Sequence, residues 1–380
     1  MSTWFSASAV IPQLRSVWEL SPTTAAWLTI AVQLGFVAGA LVSSAFNVSD
    51  LVASRFIILA GGVGAGTANA LLLAVDGPTL GIPLRFVTGF FMAGVYPPAF
   101  KLMSTWFRSG RGTALGVLGG AIILGNATPH LVNGLGGIDW RNVITTTSAL
   151  SVIGGVVAIA VTDGPYPFPR AVFDPRQVGK VFANRGVRLA SIGYFGHMWE
   201  LFAMYAWFLA FFSDQLAASG AATLSTAAFV TFVVISMGAL GSLAGGLLGD
   251  RWGRTRTTSL MLAVSGACSL GIGLLFGGPT SLVVIVSLIW GFAVVADSAQ
   301  FSTMVTEVGD QSYVGTALTM QLAIGFTVTV ATIWLIPLLE VLLTWRWAFA
   351  ILALGPLVGI AAMLRLRSLP DAARIAGGLG

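Results

Sequence analysis

Four ionisable side chains lie inside long apolar segments of this 380-residue chain, where a charge is costly to bury. Arg85 has no acidic residue near it in the sequence. His197 and Glu200 are three positions apart, so a helix would place them on one face. Asp297 begins an unusually polar run, Asp-Ser-Ala-Gln, in another apolar segment. Charges in such places face a cavity or a partner, so these four are the first candidates for binding a solute or carrying a proton.

Glu200 is the strongest of these candidates because it lies near the centre of its predicted helix. A carboxyl group removed from water there can hold and release a proton, and His197 can share that proton or only hydrogen-bond to Glu200. Arg85 has two alternative roles: it lines the cavity and attracts an anion, or its side chain extends to the membrane surface. The simpler role for Asp297 is a bond to a neighbouring helix.

Uncharged polar side chains in the same segments can line the same cavity. They are Gln33, Asn69, Asn126, Gln300, Gln321 and Tyr96. Each also fits a simpler role, in which it joins two helices by a hydrogen bond. We expect Pro97-Pro98 to kink the helix at Tyr96, and we expect His130 at the membrane interface.

The composition predicts that helices carry these residues across a membrane. Hydrophobic residues make up 56% of the chain and charged residues 9%, against roughly 25% charged residues in soluble domains. Uncharged runs such as 56–75 and 142–162 match the ~20 residues of a transmembrane helix. The centres of twelve predicted spans lie near Ala9, Gln33, Ala65, Phe91, Ile123, Ile153, Phe202, Val234, Ser265, Val295, Gly325 and Leu354. Residues 1–14 are too few for the first span, so we expect it to be truncated.

Short sequences recur about 200 residues apart, which indicates a duplicated half. Gly-Thr-Ala-Leu occurs at 112–115 and at 315–318, and Trp-Phe at 4–5 and at 207–208. Trp-Arg occurs at 140–141 and at 345–346. The proline-rich stretch that begins at Gly164 cannot continue a helix. We therefore predict an N-terminal helix bundle at 1–162, a central cytoplasmic linker at 163–185 and a C-terminal helix bundle at 186–380.

The distribution of Lys and Arg predicts the orientation of the spans. Fifteen of the 19 lie on one side, which we take as cytoplasmic together with both termini. They are Arg55, Lys101, Arg108, Arg111, Arg170, Arg176, Lys180, Arg185, Arg188, Arg251, Arg254, Arg256, Arg365, Arg367 and Arg374. This excess explains the net charge of +5. No basic stripe with interleaved aromatic residues is present, so we expect no nucleic-acid partner.

The stretch from Gly246 to Arg256 reads GLLGDRWGRTR and resembles the loop signature G-x-L-a-D-R-x-G-R of the major facilitator superfamily. The first-half copy at 47–55 keeps only Asp50 and Arg55. The resemblance implies a conformational latch, in which small residues let helices approach and the acid bonds to an arginine. Its residues would be Asp50, Arg55, Gly246, Asp250, Arg251, Gly253 and Arg254. A simpler alternative is that these arginines only set the orientation.

The resemblance implies an all-α membrane protein with two pseudo-symmetric six-helix bundles and the activity of a secondary active transporter. We interpret the chain as a monomeric, proton-coupled symporter for uptake of a small solute across the inner membrane, with no cofactor or metal. Arg85 would suit an organic anion. The alternatives are a drug or metabolite efflux antiporter and a non-transporting sensor of the same fold. The sequence has no phosphate loop ending in Gly-Lys-Ser/Thr and no Gly-x-Ser-x-Gly elbow, so it is neither an ATP-driven pump nor a hydrolase of that type.

Overall fold

The computed structural model describes residues 1–107, 111–136, 139–166, 176, 178–220 and 223–380, with side chains except at 49, 50, 111–113 and 136. Every regular element in these residues is a helix. Eleven helical spans among the described residues are long and apolar enough to cross a membrane. Each contains one predicted centre, from Gln33 in the first to Leu354 in the last, so the predicted series is confirmed from its second span onward.

The first half begins with turns at 1–7 and a 3-10 turn at Ser8–Val10, together named the N-terminal segment here. Its helices are α1 (Ile11–Val17), α2 (Pro22–Ala45), α3 (Val48–Leu51), α4 (Ser54–Ala70), α5 (Pro78–Met92), α6 (Tyr96–Ser104), α7 (Arg111–Gly136) and α8 (Trp140–Val157). The helices of the second half are α9 (Val178–Ala183), α10 (Arg185–Ala218), α11 (Leu224–Trp252), α12 (Arg254–Gly271), α13 (Thr280–Ala296), α14 (Ser298–Val308), α15 (Val314–Leu343), α16 (Trp345–Ala348) and α17 (Leu354–Arg367).

Local sequence explains where several of these helices begin and end. Ser21 precedes Pro22 and accepts a hydrogen bond from the N–H of Thr24 at 3.1 Å, which caps α2. Asn184 caps the long helix α10 in the same way, through the N–H of Val187 at 3.0 Å. Gly253 has a φ of +96° and separates α11 from α12 by one residue, a backbone conformation that favours glycine.

The same helix contact occurs in both halves. Gly35 and Gly39 of α2 lie so close to the backbone of α5 that an added Cβ would collide with the carbonyl groups of Phe86 and Phe90. In the second half, Gly241 and Gly245 of α11 make the equivalent contact with the carbonyl groups of Phe292 and Ala296 of α13. Gly241 and Gly245 lie 206 residues after Gly35 and Gly39, so the duplication seen in the sequence reappears in the packing.

Other helix pairs follow the same two-fold plan. α4 packs on α8 in the first half, and α12 packs on α17 in the second. Between the halves, α2 packs on α15 and α7 packs on α11. The repeated Gly-Thr-Ala-Leu sequence lies at the start of α7 and again at the start of α15. These two helices are therefore equivalent, since each packs on the second span of the opposite half.

The expectation about Gly246 needs correction. Gly246 has open space where a Cβ would be, so it is not at a helix contact. It lies next to the contact glycine Gly245 on α11 but points in another direction. Gly116 and Gly120 of α7 would make only ordinary contacts, at 3.4 Å from Leu243 and 3.6 Å from Ala239. At these two positions the contact between α7 and α11 is looser than the glycine contacts within each half, but at Gly134 of α7 an added Cβ would lie 3.1 Å from the backbone nitrogen of Phe229 on α11.

The predicted linker is only partly described. Residues 167–175 and 177, which include Arg170, lie outside the described residues, as do Arg108 and the side chains of Asp50 and Arg111. The described part of the linker contains the short helix α9. The boundaries predicted for the two bundles stay a prediction.

We predict that Gly241→Val destabilises the protein, whereas Gly246→Val does not. A side chain at 241 would push against the backbone of α13, which costs about 1–3 kcal/mol or more, while position 246 is open. Thermal unfolding in detergent, followed by size-exclusion chromatography, measures both variants on the same helix. Equal melting temperatures would contradict the close contact.

Candidate functional site

Span four and span ten are both broken. Span four consists of α5 and α6, separated by residues 93–95, and span ten consists of α13 and α14, separated by Asp297. Pro97 and Pro98 lie in the first turn of α6 and have no N–H, so helical hydrogen bonds cannot cross this point. The expected kink is therefore a full break. Membrane transporters place binding groups at such discontinuous helices.

Four aromatic rings from four different elements meet near the middle of the molecule. We call Trp4, Phe36, Phe202 and Phe326 the central aromatic cluster. Ring centroids are 4.9 Å apart for Trp4 and Phe36, 4.7 Å for Phe36 and Phe326, and 5.1 Å for Phe202 and Phe326. All four side chains are buried. The first two belong to one half and the last two to the other, so the cluster closes the interface between the halves.

Several buried polar side chains have atoms without hydrogen-bond partners among the described residues, and four of them lie in or near the N-terminal segment. We call them the orphan polar groups: the indole N–H of Trp4, both amide atoms of Gln33, Oδ1 of Asn126 and both ring nitrogens of His130. Each is at most 7% exposed. An unpaired polar atom in such a place costs about 1–3 kcal/mol. His130 is fully buried on the inward stripe of α7 with Asn126 and Asn133, and its depth in the membrane stays a prediction.

The orphan polar groups lie around the N-terminal segment. Gln33 is one helical turn before Phe36 on the buried face of α2. Asn126 follows Gly125, where an added Cβ would lie 3.1 Å from Met1, and His130 is one turn further along α7. Sequence reasoning identified Gln33 and Asn126 as cavity candidates, and the structure places both beside the interface of the two halves.

Arg85 is fully buried in the first half, and the N-terminal segment supplies most of its partners. Its Nη1 donates to the carbonyl of Thr3 at 2.9 Å and to Oδ1 of Asn69 at 2.8 Å. Its Nη2 donates to the carbonyl of Trp4 at 2.5 Å, and its Nε donates to that of Leu28 at 3.1 Å. In this conformation all three nitrogens bond to protein acceptors, so anion binding by Arg85 stays a prediction.

Asn69 joins three elements instead of facing a cavity. Its amide nitrogen donates to the hydroxyl groups of Thr147 at 3.3 Å and Ser148 at 2.9 Å on α8. Its oxygen accepts hydrogen bonds from Arg85 and from Ser6 of the N-terminal segment. The simpler role, a hydrogen bond between helices, therefore describes Asn69.

Glu200 lies inside the second half and is 1% exposed. Its Oε1 accepts a hydrogen bond from the indole N–H of Trp290 on α13 at 2.7 Å, and its Oε2 accepts one from the hydroxyl of Ser265 on α12 at 2.8 Å. Among the described residues, no Lys, Arg or His lies within ion-pair distance of it. A carboxyl group whose hydrogen-bond donors are all uncharged is suited to taking up and releasing a proton.

His197 is paired with Asp297 and not with Glu200. Its Nδ1 lies 2.8 Å from Oδ1 of Asp297, and both side chains are 1% exposed. This contact is an ion-pair distance and does not meet the geometry of a hydrogen bond, so Oδ1 of Asp297 has no hydrogen-bond partner among the described residues. Nε2 of His197, on the other side of the ring, has none among them either. Residues three apart on a helix point roughly 60° apart, which directs His197 toward the break in span ten and Glu200 toward α12.

The remaining polar candidates are divided among several places. Gln300 bonds to the carbonyl of Gly245 at 3.2 Å and to Arg254, so it belongs to the loop signature. Gln321 accepts a weak hydrogen bond from Ser302 at 3.4 Å, and its amide nitrogen has no partner among the described residues. The Tyr96 ring lies 6.2 Å from Phe36, beside the central aromatic cluster.

The loop signature forms a charged cluster that includes one residue absent from the sequence prediction. Arg254 bonds to Glu307 through Nε at 3.0 and 3.1 Å and through Nη2 at 2.9 Å. Its Nη1 lies 3.1 Å from Asp250, which is 67% exposed, against 23% for Glu307. Arg251 is exposed, and the Arg55 guanidinium lies 4.9 Å from the Phe56 ring. The main partner of Arg254 is therefore Glu307, at the end of α14.

We predict that Glu307→Gln destabilises this cluster more than Asp250→Asn. The bidentate contact between Arg254 and Glu307 should contribute about 1.5–3 kcal/mol to the free energy of unfolding. An exposed ion pair such as that between Asp250 and Arg254 contributes about 0–1 kcal/mol. Melting temperatures of the purified variants at low and high salt test this order. A larger effect of Asp250→Asn would show that the acid of the loop signature, and not Glu307, holds Arg254.

We predict that Arg85→Lys lowers stability by about 1–3 kcal/mol, because a single ammonium cannot reach acceptors on three elements. Transport of charged and uncharged solutes should then fall by the same factor. Exposed Arg346→Lys is the control and should change neither property. A loss restricted to anionic solutes would instead support substrate binding by Arg85.

Comparison with known proteins gives the fold and the family. The family model described as Major Facilitator Superfamily matches residues 1–331, and a search of curated proteins finds no match. A crystal structure of a D-xylose–proton symporter is similar, with a TM-score of 0.71 and 14% identity over 98% of this chain and 96% of that one.

Two further solved structures are similar at the same level. The inward-open xylose transporter XylE from E. coli has a TM-score of 0.71 and 13% identity over 97% of this chain and 93% of that one. A bacterial homologue of the human lysosomal transporter Spinster, inward-facing and unoccupied, has a TM-score of 0.67 and 13% identity over 98% and 94%. At such identities the likeness shows the fold alone. With the match over most of its length and its eleven apolar spans, the chain belongs to the major facilitator superfamily of multi-pass membrane transporters.

Proposed function

We propose that this protein is a proton-coupled secondary transporter that moves a small solute by alternating access, with Glu200 as a proton carrier. The observation that carries the proposal is the environment of Glu200. It is a buried carboxyl group near the middle of a span, and hydroxyl and indole donors from two other helices hold it. A permanent cation beside the carboxylate would keep it ionised, and neutral donors leave it free to take up a proton.

Ser265 gives Glu200 a partner in either protonation state. When Glu200 is ionised, the Ser265 hydroxyl donates to it. When Glu200 is protonated, the same hydroxyl can accept the carboxylic proton and donate its own to the carbonyl of Leu262, which is 3.4 Å away. Both states therefore avoid an unpaired polar atom, as a group that alternates between them requires.

His197 and Asp297 form a second titratable pair in the same half. They join α10 to the break between α13 and α14, so a proton on either side chain changes the charge at the point where span ten is interrupted. A structural neighbour described as a D-xylose–proton symporter supports proton coupling for this fold. We place the proton path within α10, α12 and α13, with His197 and Asp297 beside it.

Two other features of the proposal come from the sequence. The excess of Lys and Arg on one side supports an orientation with both termini cytoplasmic, and we propose uptake across the inner membrane by a monomer. An organic anion is the alternative substrate class, since Arg85 is a buried cation, but its donors already have protein acceptors.

We predict that Glu200→Gln abolishes pH-driven accumulation in proteoliposomes and leaves part of the solute exchange across the membrane intact. The amide keeps the shape of the carboxyl group but cannot carry the proton. Asp214→Asn is a matched control: Asp214 is on the same helix and accepts an indole N–H, from Trp345 at 2.6 Å, but it is exposed.

Asp214→Asn should accumulate solute at the normal rate under the same pH gradient. If Glu200→Gln still accumulates solute and Asp297→Asn does not, the proton carrier is the pair at the break in span ten. If both variants accumulate solute normally, proton coupling through this half is rejected.

A further inference from the structure

Residues 370–380, which follow α17, cross the end of the second half at the loop signature. We call them the C-terminal strap. They begin with a 3-10 element at Pro370–Gly378. We propose that the C-terminal strap holds α14 closed over the pair of His197 and Asp297, and that release of the strap lets α14 swing away around the break at Asp297. The strap acts in this way whether or not Glu200 carries a proton.

The first part of the strap is bonded to the end of α14. Nη1 of Arg374 donates to the carbonyl of Val308 at 3.1 Å, and the backbone N–H of Ala376 donates to Oε2 of Glu307 at 3.3 Å. Ile375 lies between these two donors and is fully buried. The strap therefore holds the last two residues of α14 through a side chain, a backbone group and an apolar anchor.

The second part of the strap is bonded to the turn between α11 and α12. The carbonyl of Gly380 accepts a hydrogen bond from the N–H of Thr255, in the first turn of α12, at 3.2 Å. An added Cβ on Gly253 would lie 2.5 Å from the carbonyl oxygen of Leu379. The N–H groups of a first helical turn have no partner within their own helix. The strap supplies one such partner, and it thereby links α14 to both α12 and α17.

The strap has a defined shape at the point where it turns from α14 to α12. Ala376, Gly377 and Gly378 have φ angles of +50°, +64° and +100°, which glycine adopts at little cost. The N–H of Leu379 donates to the carbonyl of Ala376 at 3.4 Å, and that of Gly380 donates to the carbonyl of Ile375 at 3.3 Å. These bonds close a hook directly after the buried anchor.

The strap fastens a helix that is free to swing at its other end. Asp297 separates α14 from α13, so no continuous helix fixes the direction of α14. The Phe301 ring lies 5.9 Å from the ring of His197. Phe301, Met304 and Val308 follow one another along α14 and are fully buried. They cover the pair on the side of the strap, so water from that side reaches the pair when α14 moves away.

Two other elements hold the same end of α14. Arg254 bonds to Glu307, and Nδ2 of Asn184 donates to the carbonyl of Val308 at 3.3 Å. The strap therefore shares both of its acceptors on α14 with other donors. Loss of the strap lowers the free energy needed to open α14 and leaves the other two contacts in place.

The labelling rate of a cysteine under α14 tests the proposal. The reporter is Met304→Cys in a Cys268→Ser background, since Cys268 is the one cysteine of the chain. The probe is 2-(trimethylammonium)ethyl methanethiosulfonate, a charged reagent that reacts from water, added to the purified protein in detergent. Ile375→Asp places a charge at the buried anchor and should raise the labelling rate about tenfold or more. Deletion of residues 370–380 should have the same effect.

Two controls separate release of the strap from general loosening of the protein. Ala373→Asp adds the same charge at an exposed position of the strap and should leave the labelling rate at position 304 unchanged. Native Cys268 on α12, which is buried, is the second reporter in chains that keep Met304. Its labelling rate should be the same with and without Ile375→Asp. Val305→Cys, also buried on α14, should respond as Met304→Cys does.

Faster labelling under α14 alone, in both released variants, supports the strap. An unchanged rate at position 304 in either released variant overturns the proposal. An equal rise at Cys268 shows that the whole half has loosened, and a rise with Ala373→Asp shows an effect of the added charge; each of these also overturns it. None of these outcomes bears on proton coupling, which the accumulation assay of Glu200→Gln tests separately.

Discussion

Close backbone contact between helices is the constraint on which this structure depends. Lipid tails are as apolar as the side chains, so helices in a bilayer gain little from burying apolar surface against each other, and packing must hold them together. Glycines supply that packing between α2 and α5 and again between α11 and α13, where no side chain could fit. The contacts between the halves are looser at Gly116 and Gly120. The glycine contacts therefore hold the helices of each half together.

Buried charged groups have different kinds of partner in the two halves. In the first half, a permanent cation, Arg85, bonds to backbone carbonyls and an amide, which fixes the N-terminal segment in place. In the second half, the buried acids Glu200 and Asp297 contact a hydroxyl, an indole and an imidazole. The halves share their helix packing, and under the proposed function they divide these tasks between fixed structure in the first half and proton exchange at Glu200 in the second.

The sequence predicted the spans, the duplication and the buried ionisable residues, because the bilayer imposes strong rules on hydropathy and charge. It did not predict the partners. Ser265, Trp290 and Glu307 are far in sequence from the residues that they contact, and nothing local marks an indole or a hydroxyl as a partner for an acid. The burial of His130 was not predicted, because it depends on which stripe of α7 faces the rest of the protein. Gly246 was chosen from a motif, and its direction on α11 could be known only from the fold.

The hydrogen bonds of Arg85 also have a consequence for biosynthesis. The carbonyl groups of Thr3 and Trp4 accept from a side chain that lies more than eighty residues later in the chain. During synthesis the carbonyl of Trp4 lacks this donor until α5 has left the ribosome and entered the bilayer, whereas that of Thr3 also accepts from the nearby Ser6 hydroxyl at 3.0 Å. A backbone without partners is unstable in lipid. The N-terminal segment therefore reaches its final place only after span four has been inserted, so the beginning of this chain is among the last parts of its half to be completed.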